Sequence, residues 1–187
     1  DFAAYERNYL KTGVRYFSLL RPLTEFQIAR YFASLPTAYH EIFRSCNAGA
    51  KQDKWCGHCA KCLFVAVILS PFLPYAEIVR LLGSDLFNLP EMQPTLDELC
   101  GALPNKPFEC VGARNEVNIA LCLAIARAEQ DGQTLPLGID VQLLVQGFHI
   151  VDLGDGHPAS ASAALKGEEV LLLCLRQLVI ILVDPLE

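Results

Sequence analysis

Four cysteines fall within 17 positions: Cys46, then nine residues, then Cys56-Gly57-His58-Cys59-Ala60-Lys61-Cys62. Thiolates at this spacing do metal chemistry. Four of them complete a tetrahedron around one Zn²⁺ and leave no position for water, which makes a structural rather than a catalytic site. Gly57 follows Cys56, where a tight turn aims backbone N–H groups at sulfur. Lys51, Lys54 and Lys61 are close enough in sequence to offset the net negative charge of a four-thiolate site. Two successive C-x2-C steps also occur in ferredoxins, so an iron–sulfur cluster is the sharper rival. Four buried, unligated cysteines are the plainer one. His58 lies between better-spaced cysteines and reads as solvent-facing or beside the site, not as a ligand.

The elements that must position these thiols are short. Tyr16–Leu20 (YFSLL) reads as a strand, broken by Pro22. Thr24 caps an expected helix over Glu25–Ser34, ended by Pro36. Tyr39–Phe43 is a second short apolar segment leading into Cys46, and Asn47–Lys54 is a polar loop. A helix runs out of the cysteine motif from His58 to about Leu69. Pro74–Leu82 is another, stopped by Gly83, and Thr95 is expected to cap a third over Leu96–Gly101. Val117, Ala120, Leu121, Ala124, Ile125 and Ala128 recur at helical spacing and mark Glu116–Ala128. Gly and Pro punctuate the chain beyond this, so a soft boundary is placed near residue 131. Residues 1–130 form one unit with the metal site at 46–62, and 131–187 form a tail of unassigned structure.

Composition excludes several classes of protein. The chain has 187 residues, 52% of them hydrophobic, enough to bury a core. With 15 basic and 21 acidic residues its net charge is −6, which argues against general nucleic-acid binding. The most apolar runs, Cys62–Tyr75 and Leu171–Val183, are interrupted by Pro71 and Pro74 and by Arg176 and Gln177, so no membrane span is expected. Clustering of four of the eight cysteines points to metal ligation in a reducing cytoplasm rather than to disulfides. Cys100, Cys122 and Cys174 read as small core residues.

Longer phrases carry a resemblance. The order strand, Pro-Leu-Thr-Glu helix, Ser-Cys, Cys-Gly-x-Cys-x-x-Cys resembles the C-terminal part of PP-loop ATP pyrophosphatases. Arg15-Tyr16-Phe17-Ser18-Leu19-Leu20-Arg21-Pro22, Ser45-Cys46-Asn47, Trp55-Cys56-Gly57, Lys61-Cys62-Leu63-Phe64, Ser70-Pro71-Phe72-Leu73 and Lys106-Pro107-Phe108-Glu109-Cys110-Val111-Gly112 resemble the bacterial UDP-N-acetylmuramoyl-L-alanyl-L-glutamate epimerases. The likeness spans about residues 9–128. It implies an α/β fold of PP-loop type with a largely helical four-cysteine zinc region. It also implies ATP with magnesium as co-substrate and a nucleotide-linked muramoyl dipeptide as substrate. The Ser-Gly-Gly-x-Asp-Ser phosphate loop of PP-loop enzymes occurs nowhere in this sequence, so the chain is expected to be the C-terminal portion of a longer enzyme. Another PP-loop adenylating enzyme, modifying a base or forming an amide, is one alternative. A zinc module that only binds a partner is the other.

Such an epimerase needs ATP because the α-hydrogen of a free carboxylate resists removal. Adenylation neutralises the carboxylate and acidifies the α-carbon, and an acid/base pair then inverts the centre. The resemblance makes Arg15, Arg21 and Lys106 candidates for phosphate or carboxylate contacts, since each cation is set in an apolar segment. Cys110 is the candidate acid/base group: Lys106 and Arg114 lie near in sequence, and nearby cations lower a thiol pKa. Glu109 is the neighbouring candidate. Glu25, at a helix start, reads as a partner of the helix dipole.

Overall fold

The computed structural model describes residues 2–108 and 111–131. These residues form helices α1 (Phe2–Tyr5, continued by a π-helical turn over Glu6–Leu10), α2 (Glu25–Ala33), α3 (Thr37–Ile42), α4 (Ala60–Leu69), α5 (Tyr75–Leu82), α6 (Gln93–Cys100) and α7 (Arg114–Gln130), joined by loops and short 3₁₀ turns.

α4 is the centre. Every residue from Cys62 to Leu69 is buried, so this helix has no polar face and must be covered on all sides. α2, α5, α6 and α7 cover it. α7 lies along it, and its small Ala120 and Ala124, both buried, let the two backbones approach. Leu63, Val67, Val117 and Leu121 are fully enclosed at this contact. Each stabilises the fold by roughly 1.5–3 kcal/mol relative to exposure.

Local signals set the helix ends. The Thr24 hydroxyl accepts the Gln27 N–H at 3.2 Å, and Gln27 Oε1 accepts the Thr24 N–H at 2.9 Å, a reciprocal cap that starts α2. α5 stops at Gly83, whose N–H reaches the Val79 carbonyl at 2.9 Å.

The expected α/β architecture is overturned: among the described residues there is no strand. Tyr16–Leu20 has the side chains of a strand but no backbone ladder beside it, and pairing is what makes a strand. The segment instead runs irregularly into turns closed by Arg21 N–H to Ser18 O (3.4 Å) and Leu23 N–H to Leu20 O (3.0 Å). Tyr16, Phe17 and Leu19 are 75%, 73% and 77% exposed. The PP-loop type of fold implied by the resemblance is therefore not seen in these residues. One smaller reading also changes: α6 starts at Gln93 with Pro94 in its first turn, so Thr95 lies inside the helix instead of capping it. The short apolar segment leading into Cys46 forms the end of α3, through Ile42, and its extended C-cap Phe43. Residues 132–187, which hold nearly all of the expected tail, lie outside the described residues.

Candidate metal centre and the adjoining groove

The cysteine cluster is built from a loop and a helix start. After α3 the chain extends at Phe43, and Arg44 braces the loop. Its guanidinium donates to the carbonyls of Glu41 (2.6 Å), Phe43 (2.7 Å) and, across the loop, Asp53 (3.2 Å). Cys46 follows, buried. Gly49 donates its N–H to Cys46 Sγ at 3.3 Å, and a Cβ at Gly49 would meet the Lys54 carbonyl oxygen at 1.8 Å, so only glycine fits. Trp55 is buried against Phe43, ring centroids 5.5 Å apart, and anchors the returning chain. Gly57 turns it with φ +73°, a conformation glycine adopts without strain. Cys59 is the N-cap of α4 and Cys62 lies in its first turn. The positive end of the α4 dipole therefore faces two of the thiols.

The four sulfurs lie within 4.8 Å of one another. Individual separations are 3.8 Å (Cys46–Cys59), 3.6 Å (Cys56–Cys62) and 3.5 Å (Cys59–Cys62). All four cysteines are free, and these gaps are well beyond a disulfide bond. A tetrahedron with metal–sulfur bonds of about 2.3 Å has sulfur–sulfur edges of about 3.8 Å. The cluster thus has the size of a site for one ion. An iron–sulfur cluster places several irons and sulfides between its thiolates and spreads them wider. The four cysteines can hold a metal ion with no ligand from solvent.

The thiols differ in acidity. Burial pushes Cys46 up, but N–H groups of Cys56 and Gly49 aimed at its sulfur outweigh this and bring it down to about 6. Burial drives Cys59 up and takes Cys62 to about 11, the latter against a backbone hydrogen bond from Gly57. His58 is exposed, as the sequence indicated, and lies outside the group of four thiols; it donates Nδ1–H to the Cys56 carbonyl at 2.7 Å and so supports the turn.

Beside the cluster a groove of about 640 Å³ opens between the turn at residues 18–23, α2 and α4. Its polar edge is Ser18, Arg21, Glu25, Ser45 and Lys61. Ser45 and Lys61 immediately precede the ligating-type residues Cys46 and Cys62.

The cations expected to meet a phosphate are placed separately. Arg21 lines the groove. Arg15 is exposed on the segment before it. Lys106 donates Nζ–H to the Val111 carbonyl at 3.1 Å. Arg114 donates to the carbonyls of Leu103 (3.4 Å) and Pro104 (2.7 Å). Glu109 and Cys110 lie outside the described residues. Sequence reasoning missed Arg44 as the loop brace and Ser45 as a groove residue, and gave Lys61 only to the thiolates. An Arg just before a Ser-Cys step, where loop carbonyls crowd, was the available signal for the brace.

Residues 42–139 match the family of the MurL C-terminal domain. The chain belongs to this family. The matched span contains all four clustered cysteines together with Lys106, Glu109 and Cys110, whereas Arg15 and Arg21 precede it. The chain is similar to curated proteins named UDP-N-acetyl-alpha-D-muramoyl-L-alanyl-L-glutamate epimerase. It is 46% identical over 121 residues to that of Salinispora tropica, a match covering 63% of this chain and 26% of that protein. The figures for a Micromonospora species are 43% over 120 residues, 62% and 26%. For Xanthomonas oryzae pv. oryzae they are 37% over 134 residues, 68% and 30%. The chain thus spans roughly a quarter of the length of these relatives. No solved structure matches it. Among the described residues no helix is long and apolar enough to cross a membrane.

Proposed function

We propose that this chain is the metal-bearing C-terminal part of an enzyme that inverts the terminal L-glutamate of UDP-N-acetylmuramoyl-L-alanyl-L-glutamate to D-glutamate, in cell-wall synthesis. The identity of 37–46% to proteins named for that epimerisation carries the reading. Zinc is the ion proposed for Cys46, Cys56, Cys59 and Cys62, because four thiolates on single-ion edges suit its tetrahedral, redox-silent coordination. Bound there, zinc supplies folding energy and no step of the reaction. Four free thiols and a nucleotide-linked substrate suit a reducing cytoplasm.

The chemistry asks for ATP with magnesium. The glutamate carboxylate attacks the α-phosphorus, pyrophosphate leaves, and an acyl adenylate forms. A base removes the α-hydrogen as a proton, and an acid on the opposite face returns one. Water then attacks the acyl carbon and AMP departs with its electron pair. Arg15, Arg21 and Lys106 are the proposed phosphate or carboxylate contacts, and Cys110, with Glu109 beside it, the proposed acid/base group. In support, the family match covers Lys106, Glu109 and Cys110, and Arg21 stands at a groove of ligand size.

The test is chiral analysis of glutamate hydrolysed from the substrate after incubation with ATP, magnesium and the complete enzyme. D-Glutamate is expected, and only with the complete enzyme. Retention of L-glutamate throughout would overturn the reading.

A further inference from the structure

The groove beside the metal cluster has an unusual charge arrangement for this chain. Arg21 and Lys61 both line it, and among the described residues neither side chain enters an ion pair or a side-chain hydrogen bond. Glu25 is the third charged lining group, so two cations face one carboxylate in a protein whose net charge is −6. The remaining walls are apolar: Ile28, Phe32, Phe64 and Ile68. Lysine and arginine stems can lie along such walls and leave the charged heads unpaired at the groove's edge, free to meet an anion. A cavity of about 640 Å³ with apolar walls and a few convergent polar groups has the size and composition of a small-molecule site.

We propose that this groove is a nucleotide site, the phosphate held between Arg21 and Lys61 and the base laid on the apolar wall, with one side of the site built by the metal centre. The proposal rests on reading the chain as part of a nucleotide-using epimerase. Arg21 offers a planar fork to phosphate oxygens and Lys61 a point charge, a pairing that suits a phosphate better than a lone carboxylate. Ser18 and Ser45 add hydroxyl donors at the same edge. Ser45 and Lys61 are each the residue before a clustered cysteine, so an ion that fixes Cys46 and Cys62 also fixes these two residues of the groove's polar edge. This gives a closed, structural metal site a part in ligand binding. Two nucleotides share the required chemistry: the adenine nucleotide that activates the carboxylate and the uridine nucleotide of the substrate.

Calorimetric titration of the metal-loaded chain with AMP and with UMP, and with adenosine and uridine as phosphate-free probes, tests it. One mononucleotide should bind at least about tenfold tighter than its nucleoside. Arg21→Ala and Lys61→Ala should each weaken it by about tenfold or more, Lys61→Arg should retain it, and Arg30→Ala, on the exposed side of α2, should leave it unchanged. Circular dichroism and metal content confirm that each variant is folded. Chelation should abolish binding. Preference for AMP assigns the groove to the activating nucleotide, and preference for UMP to the substrate. Equal binding of nucleotide and nucleoside, no binding of either, or wild-type affinity in Arg21→Ala and Lys61→Ala overturns the proposal. Nucleotide binding without inversion by the complete enzyme would discard the epimerase reading and keep the groove. Inversion with an unaltered KM in both groove variants would discard the groove alone.

Discussion

Glu116 accepts the backbone N–H of Phe26 at 3.2 Å across 90 residues of sequence. Its other carboxylate oxygen accepts the Ala113 N–H at 3.1 Å, so one buried group closes the first turns of both α2 and α7. Each helix presents its positive end there, and a charged acceptor makes the stronger hydrogen bonds. Glu116→Gln keeps one oxygen but turns an amide donor toward a backbone donor. A loss of about 1–3 kcal/mol is expected, read as a lowered urea midpoint with an unchanged slope. An unaltered midpoint would show that the two helix starts do not depend on the carboxylate.

Gly49→Ala is expected to destabilise the cysteine loop by about 3 kcal/mol. Its Cβ would fall 1.8 Å from a backbone oxygen that has no freedom to swing away. Gly13→Ala is the control. Gly13 has φ +74° with open space around it, so about 1 kcal/mol of backbone strain is expected there. Thermal melts of the two variants and their metal content make the comparison. Equal, small shifts would remove the close-approach argument.

Cys59→Ser removes a ligand and leaves a hydroxyl at the N-cap of α4, where serine is otherwise favoured. Any stability lost is therefore lost through the metal. A structural zinc contributes on the order of 10 kcal/mol at neutral pH. The variant, and the wild type under chelation, should both lose the ion and the cooperative melt. A metal-free chain that still melts cooperatively at the wild-type temperature would reduce the centre to decoration.

Metal uptake should release protons. Ordinary thiols are protonated at pH 7, and the surroundings of Cys59 and Cys62 push both further up, Cys62 to about 11, so both carry protons before the metal binds. An ion must displace them. Apparent affinity therefore rises with pH and falls as acid is added. Titration calorimetry in buffers of different ionisation enthalpy should give two or more protons per metal. Binding heats independent of buffer would contradict this.

Much of the centre was readable from spacing alone. Cysteines 46, 56, 59 and 62 do lie within 4.8 Å, and His58 does face solvent. Helix ends marked by local chemistry, Thr24 before α2 and Gly83 after α5, were readable for the same reason: each is decided within a few residues. Tyr16–Leu20 was not, because a strand is a property of two segments and the apolar run of one does not supply the other. Glu116 read only as the start of a helix, since its main partner is Phe26, far away in sequence. The groove joins residues 18–23 to Ser45 and Lys61, and only packing of α2 on α4 brings them together.

Proton exchange at the inverted carbon tests the central claim most directly. The complete enzyme is incubated with UDP-N-acetylmuramoyl-L-alanyl-L-glutamate, ATP and magnesium in deuterated water, and the glutamate is analysed for chirality and α-deuterium. The account predicts D-glutamate carrying deuterium at the α-carbon, formed with AMP, and lost on chelation of the metal centre. L-Glutamate that keeps its α-hydrogen while ATP is consumed, or no consumption of ATP at all, would contradict it.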